Sequence, residues 1–351
     1  MSCSSLFTSL GAAMQSISSH RYTFKDLDNV AKSNPTLLPF ESELSSRLEQ
    51  LKSTHETEHL GIEWLCHATK MVLSTHSSAE VFVLDIHVSA SIGSRKWIDS
   101  FLDNTICLLD TCVDLKAAIA EIRNYYGHIK IALRAVEKDP IGEISVKRYM
   151  KALKKCIDAL KRKDDAVNHL GQRRSKLECC SSMLRRMAER LNIEDDSNGN
   201  FFMVMYAAQV ITIFICSLLS TALSFKPRRS LSSACISGQS SWSLSLNTLQ
   251  HKVQGEIEKK KCRGANAVLE ELDMADITIR NFHNMIEKIL NGKSSSDKIA
   301  QILKVKESAK VLEALLTDLQ QGIPTLEVHV ENIYRNLLRS RIVFLNMELG
   351  S

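Results

Sequence analysis

The sequence predicts an all-α protein, an elongated bundle of long antiparallel helices with one very hydrophobic helix that is either central or transmembrane. Three observations carry that prediction. Apolar residues recur at alternating spacings of three and four over most of the chain, the signature of one buried helical face. The five prolines, at 35, 39, 140, 227 and 324, fall between these periodic segments, as expected of residues that remove a backbone donor and clash with the preceding turn. Alternating β-branched runs are few, and aromatic residues make up only 6% of the chain, so little argues for strands.

The first 38 residues are Ser-rich and have no acidic residue before Asp26. They are expected to form a flexible terminus or a weakly transit-like segment. A helical half is expected over 39–200. Phe40, Leu44, Leu48, Leu51, Ile62, Leu65 and Val72 place one or two helices between 39 and 74. The clearest helix follows, with Ile98, Phe101, Thr105, Leu108, Cys112, Leu115, Ile119, Ile122, Tyr126, Ile129, Leu133 and Val136 forming one continuous seam. Asp139 and Pro140 end it.

A second long helix is expected from 145 to 191, with Val146, Met150, Leu153, Ile157 and Leu160 before a polar stretch and Leu177, Cys180, Leu184, Met187 and Leu191 after it. Residues 145–190 hold fourteen Lys and Arg against five Asp and Glu, a local charge of +9 in a chain whose total is +5. Such a surface suits anionic headgroups or an acidic protein, and it equally suits a solvated helix face. Basic residues are not interleaved with stacking aromatics, so no nucleic-acid partner is expected.

Residues 201–225 contain no charged side chain. A helix needs about 20 apolar residues to cross a bilayer, so this run is long enough to span. Gln209, Thr212, Cys216, Ser220 and Ser224 lie close in phase as a mildly polar stripe suited to close helix packing, in lipid or in a protein core. The uninterrupted length and the basic residues on both sides favour the span. Residues 226–243 form a Ser-rich linker in which Ser230 and Ser232 follow basic residues, a weak kinase signal.

A second helical half is expected over 244–351. Val268, Leu272, Ala275, Ile279, Phe282, Ile286 and Ile289 make a seam that stops at Asn291 and Gly292. Ser296 and Asp297 offer an N-cap for a helix carrying Ile302, Val305, Ala309, Leu312, Leu316 and Leu319, which Gly322 and Pro324 are expected to close. Leu326, Val330, Ile333 and Leu337 begin the last helix.

Candidate chemistry is sparse. His55, Glu56 and His59 match H-E-x-x-H, where two imidazoles one turn apart could hold zinc while the Glu activates water. Ile62 and Leu65 occupy the positions where an extended zinc motif needs Gly and His, and only Glu80 is a conceivable further carboxylate ligand. Cys179 and Cys180 read either as a redox-active pair near Arg185 and Arg186 or as one core and one boundary residue. The ten cysteines show no C-x-x-C spacing, so reduced and mostly buried thiols are expected. His128, His169 and His283 lack metal spacing. The residues thus give no catalytic, metal or cofactor site, and no cofactor is expected.

Residues 97–112, WIDSFLDNTICLLDTC, resemble the W-x-D-x-x-L-D…LLD-x-C pattern of the BYPASS-related plant family of helical proteins. LLPFESELSSRLEQL, MVMYAAQVITIFICSLLSTALS and WSLSLNTLQHKVQGEIEKK agree in order and spacing, so the resemblance runs from about Pro39 to Arg341. It implies a plant protein with a role in root and leaf development through long-range growth signalling, and in a related branch a link to exocytosis. No catalytic residues come with it. The charge-free run departs from family members that place a Lys within it.

The expectation is therefore a non-enzymatic, membrane-associated protein that binds protein partners through helical faces and touches lipid at the endoplasmic reticulum or plasma membrane, facing the cytosol. The alternatives are a soluble helical scaffold linked to trafficking, in the cytoplasm or chloroplast, and a zinc-dependent hydrolase.

Overall fold

The structure, a computed structural model, describes residues 37–53, 60–85, 95–138, 150–155, 157, 176–191, 200–224, 231, 240–291 and 295–349. Among these residues there is no strand, and eight helices form the framework: α1 (Leu38–Ser53), α2 (Ile62–Asp85), α3 (Arg95–Lys138), α4 (Lys176–Arg190), α5 (Asn200–Ala222), α6 (Ser241–Cys262), α7 (Glu270–Asn291) and α8 (Ser295–Leu349). Residues 39–351 make one compact unit. The H-E-x-x-H sequence and the basic-Ser sites lie outside the described residues.

Side-chain pairs give the direction of each helix. Arg341 donates to the Leu102 carbonyl, Lys116 pairs with Glu331 and Arg123 with Glu327, so α3 and α8 are antiparallel. Cys66 lies on Gly322, Thr69 on His329 and Glu80 on Arg339, so α2 runs parallel to α8. Helix α1 returns along α2, with Ser78 bonded to Arg47 and Glu43 while the Trp64 indole donates to the Leu51 carbonyl. Ser45 with Ser245 and Lys52 with Lys252 show that α6 runs parallel to α1. Helix α4 lies against α3 and α5.

The α3 seam is buried as its period requires, from Ile98 through Leu133, with one exchange: Tyr125 faces inward and Tyr126 is half-buried. After Ile122 the next inward position can fall three or four residues on, and here a step of three followed by four keeps the face turned to the core. Phe40 to Val72 resolve into two helices rather than one, all seven predicted apolar residues being buried.

Pro324 corrects the sequence reading. The chain does not stop at Gly322 and Pro324; α8 is one helix of 55 residues with Pro324 inside it. A proline in a helix interior costs about 3 kcal/mol through a lost hydrogen bond and a clash with the preceding turn. Here the ring is exposed on the solvent side, while Leu319, Ile323, Leu326 and Val330 stay buried on either side of it, so packing carries the helix across. Gly322 is needed for a different reason: a Cβ there would stand 2.3 Å from Ile62 Cγ1, so the glycine lets α8 press against the start of α2. Pro39 likewise sits inside α1, in its first turn, where the missing donor would be unsatisfied anyway.

Helix α7 also fixes the start of α2. Glu271 accepts the Ile62 backbone N–H at 2.8 Å, and the Glu270 N–H reaches the Leu60 carbonyl at 3.1 Å. Leu60 is held at φ 132°, a region costly for a side chain-bearing residue, with its own side chain buried. Between α6 and α7 the chain turns at Gly264 with φ 75°, and Asp273 accepts the Asn266 N–H at 2.7 Å. Asp276, only 2% exposed, is neutralised by Arg280 and bonded by the Asn266 amide. A buried carboxylate left without such partners would cost several kcal/mol.

Candidate functional site

Helix α5 is the hub of the bundle. Every residue from 204 to 223 is buried, and 94% of its most apolar window is enclosed by the rest of the protein. Helices α2, α3 and α4 pack on it. At its N-terminal end Phe202 meets Trp97 edge-on at 4.9 Å, Trp97 stacks on Phe101, and Phe101 reaches Phe344 of α8 at 4.5 Å. Tyr206 meets Trp242 of α6 at 6.4 Å. Trp97 opens the sequence block that carries the family resemblance, and its place is the joint between α3, α5 and α8.

The polar stripe on α5 is largely spent within the helix. Thr212, Ser220 and Ser224 donate to carbonyls four residues back, at 2.6, 2.9 and 2.6 Å. The Cys216 thiol is buried and free, beside the free thiol of Cys112 on α3. Gln209 is the exception: it is 5% exposed, and its Nε2 has no hydrogen-bond partner among the described residues. An amide donor left bare in a protein interior costs about 1–3 kcal/mol.

Beside Gln209 lies a cleft with a cavity volume of about 80 Å³, built where α2, α3, α5 and α8 meet. Phe101, Leu108, Met205, Leu337 and Phe344 give apolar walls, and Ala79 and Ala208 leave the room. His76 enters from α2. Its Nε2 lies 2.8 Å from the Thr212 hydroxyl, whose single proton goes to the Ala208 carbonyl, so the ring N–H is the donor. Burial pushes the His76 pKa down to about 4, and the imidazole is neutral at pH 7. At the more exposed edge Glu80 and Arg339 neutralise each other at 3.2 Å. No sequence signal marks this cleft, because its lining comes from four segments distant in the chain.

The basic stretch is an outer surface where it is described; residues 145–149 and 158–175 of the helix expected over 145–191 lie outside the described residues. On α4, Leu177, Cys180, Leu184 and Met187 face inward while Lys176, Arg185, Arg186 and Arg190 are exposed. Lys151, Lys154 and Lys155 are exposed as well. The cysteine pair divides as one core and one surface residue: Cys179 is exposed, and Cys180 is buried with its thiol donating to Asp114 at 3.2 Å. Burial, helped by the Asp114 carboxylate, pushes the Cys180 pKa up to about 12, opposite to what redox reactivity needs. His128 and His283 lie on α3 and α7, and His169 is outside the described residues. Among the described residues no three His, Cys, Asp or Glu side chains gather in a metal-binding arrangement.

Comparison with known proteins gives the family. The chain is similar to "Protein BPS1, chloroplastic" of Arabidopsis thaliana, 23% identical over 315 residues that cover 89% of this chain and 83% of that protein. It is also similar to "UPF0496 protein 4" of Oryza sativa subsp. japonica, 24% identical over 251 residues. That match covers 70% of this chain, and the chain spans about half, 53%, of the rice protein. No solved structure matches it. The profile of the family described as "Protein BPS1" matches residues 84–347, from the end of α2 to the end of α8, and the chain belongs to that family.

Proposed function

We propose that this chain is a non-enzymatic plant helical protein that acts in developmental signalling, in root and leaf growth, by binding protein partners through the outer faces of its bundle. Family membership is the observation that carries the reading, since the resemblance implies a developmental role and brings no catalytic residues. Helix α8 supports it from the structure. Its inner side supplies Leu319, Ile323, Leu326 and Val330 to the core, while Leu338, Ile342 and Val343 remain exposed near its C-terminal end. Exposed apolar side chains grouped on one helix suit a protein contact better than a solvated face.

Membrane association in this reading is peripheral, at the cytosolic side of the endoplasmic reticulum or plasma membrane. The enclosure of α5 supports that choice, because a helix surrounded by protein has no lipid-facing side to offer. The exposed cations of α4 supply attraction to anionic headgroups, each worth about 1 kcal/mol near such a surface. A chloroplast location is the second reading, favoured by the word "chloroplastic" in the name of the Arabidopsis relative. A fluorescent fusion of the full chain in leaf cells separates the two by place.

Rescue of a plant line lacking the protein tests the function. The double variant Leu338→Lys and Ile342→Lys should keep its helical spectrum and fail to restore root growth. Full rescue by that variant would contradict binding through this face.

A further inference from the structure

We propose that the cleft between α2, α3, α5 and α8 is a binding site for a small, neutral, mostly apolar molecule that carries one hydrogen-bond acceptor, a ketone or equivalent carbonyl. Four observations define that ligand. The walls are apolar, with Phe101, Leu108, Met205 and Phe344 among them, so dispersion and burial supply most of the affinity. Three of the polar side chains inside are already committed. Thr105 donates to the Phe101 carbonyl at 2.7 Å, Thr212 donates to the Ala208 carbonyl, and His76 meets Thr212. Gln209 Nε2 is left bare among the described residues, in a residue 95% buried by its 5% exposure, so one acceptor on the ligand satisfies it. Among the described residues the only charges on the lining, Glu80 and Arg339, are spent on each other at the edge, and a charged ligand would have to part them.

The volume of about 80 Å³ sets the scale. It would hold several waters at roughly 10–15 Å³ each, or the ring of a small cyclic molecule with its oxygen toward Gln209. The apolar walls give waters few partners beyond the Gln209 amide, whereas a carbonyl on a hydrocarbon frame satisfies amide and walls together. Of the outer residues on which the interaction reading rests, Val343 also lines the rim of this cleft.

The test uses the full chain and two probes of nearly the same shape, cyclohexanone and methylenecyclohexane, titrated by ligand-observed saturation-transfer NMR. Cyclohexanone should bind saturably. Gln209→Met removes the donor while keeping the side chain's length, and should lower the ketone-to-alkene affinity ratio by about five- to tenfold, the effect of one buried hydrogen bond. Ser340→Trp, at the partly exposed edge, should abolish binding of both probes. Any of three results overturns the proposal: no saturable binding to the wild-type protein, an unchanged ratio in Gln209→Met, or undiminished binding in Ser340→Trp. Circular dichroism of each variant confirms the fold, and the Ser340→Trp arm decides the location even where Gln209→Met is poorly folded.

Discussion

Helices α5 and α8 both run for more than six turns without a break, and they meet their surroundings in opposite ways. In α5 every residue from 204 to 223 is buried, whereas α8 buries one seam and leaves Val328, Leu338 and Ile342 between 40% and 57% exposed. Hydrophobicity all round means that something apolar surrounds a helix, and it does not say whether that is lipid or protein. In this protein five helices do the surrounding: α2, α3 and α4 along its length, α6 at Tyr206 and α8 across the cleft. Helix α8 shows the complementary case, in which one clean seam lets packing override a proline.

The largest test of that contrast is a charge. Leu218→Arg, at a position with no exposure, should destabilise the protein by more than about 4 kcal/mol or prevent folding, because an unpaired buried charge has no compensation. Ile342→Lys on α8 should change stability by no more than about 0.5 kcal/mol. Chemical denaturation of both, in detergent-free buffer, measures the difference.

The pH dependence sharpens it further. His76 is neutral in the folded protein with its pKa at about 4, while the unfolded chain takes up its proton near 6.5. The unfolded state therefore binds more protons between these values, and the His76 contribution is complete above pH 6.5 and lost as pH falls toward 4. Its size is up to about 3 kcal/mol. Glu41 and Glu271 act in the other direction, since burial raises their carboxyl pKa values and the folded state then protonates more readily as pH falls. The clean measurement is the difference between wild type and His76→Gln, whose stability should fall less between pH 6.5 and 4.

Two glycines give smaller and opposite effects. Gly322→Ala forces a methyl group onto Ile62 and should cost about 1–2 kcal/mol, the overpacking penalty less the gain in helix propensity. Gly255→Ala in α6 meets nothing within 4 Å and should stabilise by about 0.5–1 kcal/mol. Smallest of all, Lys116→Ala should cost at most about 1 kcal/mol, because its ion pair with Glu331 is partly exposed and screened. Thermal melts resolve all three.

What was legible in the sequence was whatever one helix encodes by itself. The α3 seam could be read because its period is sustained for over five heptads. Pro324 misled because a proline reports local backbone cost, whereas the decision to continue lay in the buried seam on both sides and in the close contact of Gly322 with Ile62. The surroundings of α5 were hidden for a related reason: they are supplied by five helices spread between residues 62 and 349, of which α4 and α6 alone are near it in sequence. The cleft was hidden in the same way. Its members come from 76–80, 101–108, 205–212 and 336–344, and no spacing within any one segment announces them.

Alkaline carbonate extraction of membranes from cells expressing the full chain tests the enclosure of α5 most directly. A helix sheathed by its own protein predicts release of the chain into the supernatant, with whatever electrostatic membrane contact it had removed by the treatment. Retention in the membrane pellet, with α5 protected from added protease, would contradict that account and place residues 201–225 in lipid.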